Sequence, residues 1–165
     1  MLAHGQLDVA LVRECPSDPG YDAVLAAEEA LGVILATSHV DELAEPAGIP
    51  LHRLAGLAWV GFPRSDAPIW YDQVAATFRG HGISVNPEPV PGEHPLIAEV
   101  KVAVVSGGQA FALAPPGWGQ PLPPGVAWQP LIGSPIVRRT WAVWHASERR
   151  RDLAMLVAAL DRTTP

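Results

Sequence analysis

Apolar residues in this chain fall in short runs broken by proline and glycine, and stretches of helical spacing lie between them. The first run, Leu7-Asp-Val-Ala-Leu-Val12, is nearly all apolar. It reads as a parallel strand buried on both faces. Arg13 and Glu14 close it, and Cys15 to Gly20 is a turn-rich loop. Val24 to Ala27 and Glu28 to Ala36 read as two more strands, the second supported by the β-branched pair Val33-Ile34. A helix over residues 23–31 competes, because Ala, Leu and Glu favour one, although Gly32 weakens its continuation. Ser38 is a candidate cap for a short helix over 39–44. Glu45-Pro-Ala-Gly-Ile-Pro50 is a linker.

A second apolar run, Ala58-Trp-Val60, predicts a buried strand. Its loop is bracketed by Pro63 and Pro68, with Arg64, Ser65 and Asp66 between them. From Ile69 to His81, Val74, Ala75 and Phe78 recur at helical spacing, and Gly80 and Gly82 end the pattern. Ser84 to Val90 is extended, with Pro87 and Pro89 marking an edge or irregular strand. Glu93 to Gly108 predicts a helix with Pro95 in its first turn and Gly107-Gly108 as its stop. Ala110 to Ala114 is a short buried strand, Val126 to Leu131 is extended, and Ile136 to His145 is a long strand. Ser147 is placed to cap a final helix whose apolar face is Leu153, Leu156, Val157 and Leu160.

This order of elements implies two α/β lobes. The first takes residues 1–50 and 128–165, and the second takes residues 51–127. The chain then crosses out near residue 50 and back near residue 128. A crevice between two such lobes is a natural site for a small ligand, and a strand–loop–helix such as residues 58–72 commonly lines one.

Composition narrows the function. Of 165 residues, 48% are hydrophobic and 17% charged, which supports a real core and argues against disorder. The net charge of −6 argues against non-specific nucleic-acid binding. Cys15 is the only cysteine, so neither an intramolecular disulfide nor a thiolate metal cluster can form. The start, Met1-Leu-Ala-His-Gly-Gln6, lacks the features of a signal peptide, and no apolar run approaches a membrane span. The expected location is cytoplasmic.

The six histidines show no paired metal-ligand spacing, and there is no nucleophile elbow and no P-loop. No metal, no cofactor and no enzymatic activity are expected. Trp59, Trp141 and Trp144 fit core strands, and Trp118 and Trp128 lie near the expected return crossing.

Five segments resemble one family in the right order. Gly5-Gln-Leu-Asp-Val-Ala-Leu-Val12 resembles an early strand of the effector-binding domain of LysR-type transcriptional regulators. Leu31 to Ala36 followed by Ser38-His39 resembles the strand before that family's His-Pro element, with Val40 where the proline often stands. Trp59-Val-Gly-Phe-Pro-Arg64 through Asp72 resembles the effector loop. Val104 to Pro115 resembles the family's glycine-bearing helix–turn–strand, with Gly108 at its first glycine and Ala110 at its second. Trp141 to Leu160 resembles the closing strand and helix.

The resemblance implies a two-lobe type II periplasmic-binding-protein-like α/β fold with its first lobe incomplete. The family's helix-turn-helix and first elements have no counterpart here. It implies a sensor module for a small effector, a carboxylate or an aromatic, with no DNA binding by this chain itself. It places the effector against Phe62, Pro63, Arg64, Ser65 and Pro68, and near Arg13. Arg64 and Arg13 would each pair with a ligand carboxylate or with a neighbouring acid. Ser65 would donate a hydrogen bond or cap the next helix. Gly107 and Gly108 would offer backbone N–H groups or simply stop a helix. A homodimer, or association with full-length homologues, is the expected assembly. A small α/β enzyme using the same crevice and a non-binding interaction remnant are the alternatives.

Overall fold

The computed structural model describes residues 7–85, 98–119, 121–148 and 151–161. The chain forms two compact units, one of residues 1–29 and 138–165 and the other of residues 30–137. The divisions fall at 29/30 and 137/138, whereas the expected crossings lay near 50 and 128.

In the larger unit a sheet of four strands is ordered β4 (Ala58–Trp59), β5 (Ala110–Ala114), β3 (Gly32–Ala36), β6 (Val126–Gln129). β3 is antiparallel to both β5 and β6, while β4 runs parallel to β5. All five residues of β3 are buried. Successive side chains on a strand point to opposite faces, and β3 divides between two cores accordingly. Val33 and Leu35 join Phe111, Leu51, Leu54, Val74 and Phe78. Ile34 joins Ala110, Ala112, Val60 and Val105. The first core is closed by α2 (Pro68–Gly80) and a 3-10 segment, Leu51–Gly56; the second by α3 (Ala98–Ser106). A strand covered on both faces needs an unbroken apolar run, and Gly-Val-Ile-Leu-Ala supplies it. The pairing of β3 with β5 and β6 is why the division comes before residue 31.

Residues 23–31, open between helix and strand in the sequence, are mostly strand: β2 spans Tyr21–Ala30. The helix expected over 39–44 is α1 (Thr37–Leu43), with Ala36 and not Ser38 at its cap position. The extended run over 86–90 and the helix start around Glu93 and Pro95 lie outside the described residues.

In the smaller unit three strands are ordered β1 (Ala10–Val12), β7 (Val137–His145), β2. β1 was read as a central parallel strand. It is a three-residue edge strand antiparallel to β7, and Leu11 on it is 68% exposed. An all-apolar run this short does not by itself reveal how many faces are covered. Two ion pairs cross from β7 to β2, Arg138 to Glu29 at 2.7 Å and Arg139 to Glu28 at 2.8 Å. Consecutive on both strands, they lie on opposite faces. α4 (Arg151–Asp161) buries Leu153 but leaves Leu156 44% exposed, so the expected apolar face is narrower than its spacing implied. Ser147 lies ahead of residues 149–150, which are outside the described set, and its Oγ is 2.8 Å from His145 Nδ1.

Candidate functional site

The loop between β4 and α2 is built on an aromatic nest. Trp59, Phe62 and Tyr71 are mutual neighbours, with ring centroids 6.1, 5.5 and 5.8 Å apart. Trp59 also meets Phe78 at 5.0 Å, edge to face, and Phe78 meets Phe111 at 5.6 Å. Offset and edge-on geometries of this kind favour ring contact beyond simple area burial. The nest therefore ties the loop to the core beneath the sheet. Gly61 makes it possible: a Cβ there would come within 2.8–3.0 Å of the Trp59 indole. Trp59 Nε1 is buried without a hydrogen-bond partner, the one such side-chain atom found among the described residues. A buried donor in that condition carries an unmet desolvation cost.

Phe62 and Pro63 are half-buried at the loop's start, and Pro68 is the first residue of α2, where its missing N–H costs nothing. Arg64 to Asp66 form a 3-10 turn closed by the Asp66 N–H donating to Pro63 O at 3.0 Å. Arg64 is exposed and forks onto Asp72: Nε is 2.8 Å from Oδ1 and Nη2 is 2.7 Å from Oδ2. The hydrogen bond from Arg64 holds the Asp72 carboxyl below the ordinary aspartate range and raises the arginine in turn. Ser65 Oγ, also exposed, is 3.4 Å from Asp66 Oδ1.

The glycine turn follows α3. The N–H groups of Gly107 and Gly108 donate to Val104 O and Val105 O at 3.2 and 3.0 Å, so both are engaged in ending the helix. Gly108 has φ +74°, a conformation that favours glycine. Its carbonyl accepts from His39 Nε2 at 2.7 Å, which links the start of α1 to this turn. Within the larger unit, Phe62, Pro63, Arg64, Ser65 and Pro68 thus share one loop, and the glycines belong to the turn that β5 follows.

Arg13 belongs to the smaller unit. It follows the last residue of β1, is exposed, and donates from Nη1 to Thr140 Oγ1 on β7. Partial burial and the nearby Arg138 guanidinium lower its affinity for its proton, against the pull of Glu29. Sequence reasoning singled out Arg13 but not Thr140, Arg138 or Glu29. The missing signal was the register of β7, set by residues more than a hundred positions away. Among the described residues no group of three or more His, Cys, Asp or Glu side chains is arranged to hold a metal, and no helix is long and apolar enough to cross a membrane.

Residues 1–163 match the LysR substrate binding domain. The chain belongs to that family. A comparison with curated protein sequences found no match. Among solved structures, this LysR substrate-binding domain is similar to CbnR, a LysR family transcriptional regulator. The TM-score is 0.74 at 22% identity, covering 98% of this chain and 54% of that one. The BenM effector binding domain with its effector benzoate gives 0.76 at 20% identity, covering 98% of this chain and 71% of that one. An OxyR variant of Corynebacterium glutamicum gives 0.71 at 23% identity, covering 98% and 49%. The chain spans about half the length of CbnR. The substrate-binding domain's architecture is thus the periplasmic-binding-protein-like α/β fold of these regulators.

Proposed function

We propose that this chain senses a small organic carboxylate as the effector-binding part of a LysR-type transcriptional regulator, and that it is not an enzyme. The family match over residues 1–163 carries the reading. The structural likeness to the BenM domain, which has benzoate as its effector, favours an aromatic carboxylate. Ligand binding would act by shifting the population of the chain's conformations, which requires different affinity for each of them.

In the larger unit the loop Phe62–Pro68, resting on rigid aromatic contacts, is the proposed effector wall, with Gly107 and Gly108 beside α3 as further candidates. In the smaller unit the candidate is Arg13. The working assembly is taken to be a homodimer or a pairing with full-length homologues, in the cytoplasm. Thermal shift and calorimetry with a panel of aromatic carboxylates test the proposal. Saturable binding of at least one member is expected. Failure of the whole panel to bind would remove the reading.

A further inference from the structure

We infer that the outer face of α4 is the seam of a symmetric dimer, in which two copies of this helix pack antiparallel. The inference rests on the homodimer taken above and names its surface and its orientation.

Between Asp152 and Asp161 the helix reads Leu-Ala-Met-Leu-Val-Ala-Ala-Leu, eight residues with no polar side chain. Positions i, i+3, i+4 and i+7 share one face of a helix. One such face is Leu153, Leu156, Val157 and Leu160, and it turns inward: Leu153 is buried, Val157 and Leu160 are half-buried, and only Leu156 at its margin is exposed. The opposite face is Arg151, Ala154, Met155 and Ala158. All four are exposed, Met155 by 66%. A helix with one face in water normally carries charged or polar residues there, and one that is apolar all round is ordinarily covered all round. From Leu153 to Leu160, α4 is apolar all round and covered on one side.

This face is complementary to itself. Met155 projects, and Ala158, about one turn further on, leaves a hollow. An antiparallel two-fold sets each Met155 against the Ala158 of the other copy, so the bump and the hollow are both used twice. Ala154 beside them lets the axes approach to about 8 Å, the close end of the range for helix pairs. Charge fixes the direction. Arg151 lies in the first turn of α4, at the positive end of its own helix dipole, where a cation is unfavourable. An antiparallel copy carries it to the negative, C-terminal end of the other helix, whereas a parallel copy would set it beside a second Arg151. The 11 residues of α4 extend about 16 Å. A contact of that length falls below the roughly 1,200 Å² buried in stable complexes, so the association is reversible and depends on concentration.

Sedimentation equilibrium of the full chain across the micromolar range, joined to cysteine cross-linking, tests the seam. Ala158→Lys is expected to weaken association by about tenfold or more, because it puts a charge into the contact. Arg151→Glu is expected to weaken it several-fold while leaving the helix of the monomer intact, since an acid suits the first turn. Ile69→Lys, also at an exposed position but in the larger unit, should not change it. Unchanged far-UV circular dichroism shows that the variants are folded. For the orientation, Cys15 is first replaced by serine. Under mild oxidation an equimolar mixture of Met155→Cys and Ala158→Cys chains should then form the mixed disulfide in preference to either self-pair, and Arg151→Cys should not link to itself. If Ala158→Lys associates as tightly as the parent, or Arg151→Cys cross-links as readily as the mixed pair, the seam is overturned and a homodimer through another surface survives. A chain that stays monomeric throughout overturns both, and carboxylate binding is untouched by either result. Flotation with phosphatidylcholine vesicles in place of self-association also overturns the seam, because the face then belongs to lipid.

Discussion

Arg64 shows how a residue type can be right for a task and already occupied. Its fork onto Asp72 uses the donor geometry that recognises a ligand carboxylate. Asp72, depressed by that bond, contributes stability above its unfolded pKa, and the contribution is lost as pH falls through the folded value. Both side chains are more than half exposed, so solvent screens the pair and the effect on melting is slight. The titration itself is the sharper readout. Carboxyl carbon NMR should place the Asp72 midpoint below the ordinary aspartate range, and Arg64→Gln should move it back up. An unmoved midpoint would mean that the pair does not persist in solution. Gly61 offers a second test at this scale. Gly61→Ala puts a methyl into the Trp59 indole, and overpacking of that kind costs about 1–3 kcal/mol. Urea denaturation reads the loss, and near-UV circular dichroism should change with it, since the ring lies at the centre of the nest.

At the level of elements, β3 and β5 were legible because burial on both faces leaves an unbroken apolar run. The rhythm of α2 was equally plain, and Val74, Ala75 and Phe78 are its buried residues. The loop of residues 62–67 was placed correctly between strand and helix, but the fork from Arg64 to Asp72 was not foreseen as a specific pair. The smaller unit was harder to read. β2 has a composition that suits helix, and it is strand because β7 pairs with it, with Glu28 and Glu29 meeting Arg139 and Arg138 across 111 and 109 residues of sequence. Local propensity carries no trace of a partner that distant. The contrast between helices gives a stability prediction. Phe78 is fully buried, so Phe78→Ala should cost about 3–5 kcal/mol. Leu156→Ala on exposed α4 should stay within about 0.5 kcal/mol. Equal losses in urea denaturation would show that α4 packs more closely than its exposure indicates.

For the molecule as a whole, the uneven distribution of core bears on assembly. Among the described residues the smaller unit buries only Ala142, Val143 and Leu153, whereas the larger unit holds every other core side chain. Small modules with little buried surface are marginal on their own and gain stability by association. The same unit carries Leu7, Leu11, Met155 and Leu156, four of the six large apolar side chains that stand exposed among the described residues. Exposed apolar groups gathered in one part of a molecule favour contact with a partner. The net charge of −6 opposes self-association only weakly at physiological salt, where exposed charges are screened over about 8 Å. The expected outcome is a dimer made through the smaller unit. Size-exclusion chromatography with light scattering should then give about twice the 17.5 kDa chain mass at micromolar concentration. Leu11→Lys combined with Met155→Lys should return it to the monomer while leaving the larger unit's amide spectrum unchanged. If the parent chain elutes as a clean monomer, the exposed side chains are not an interface between copies.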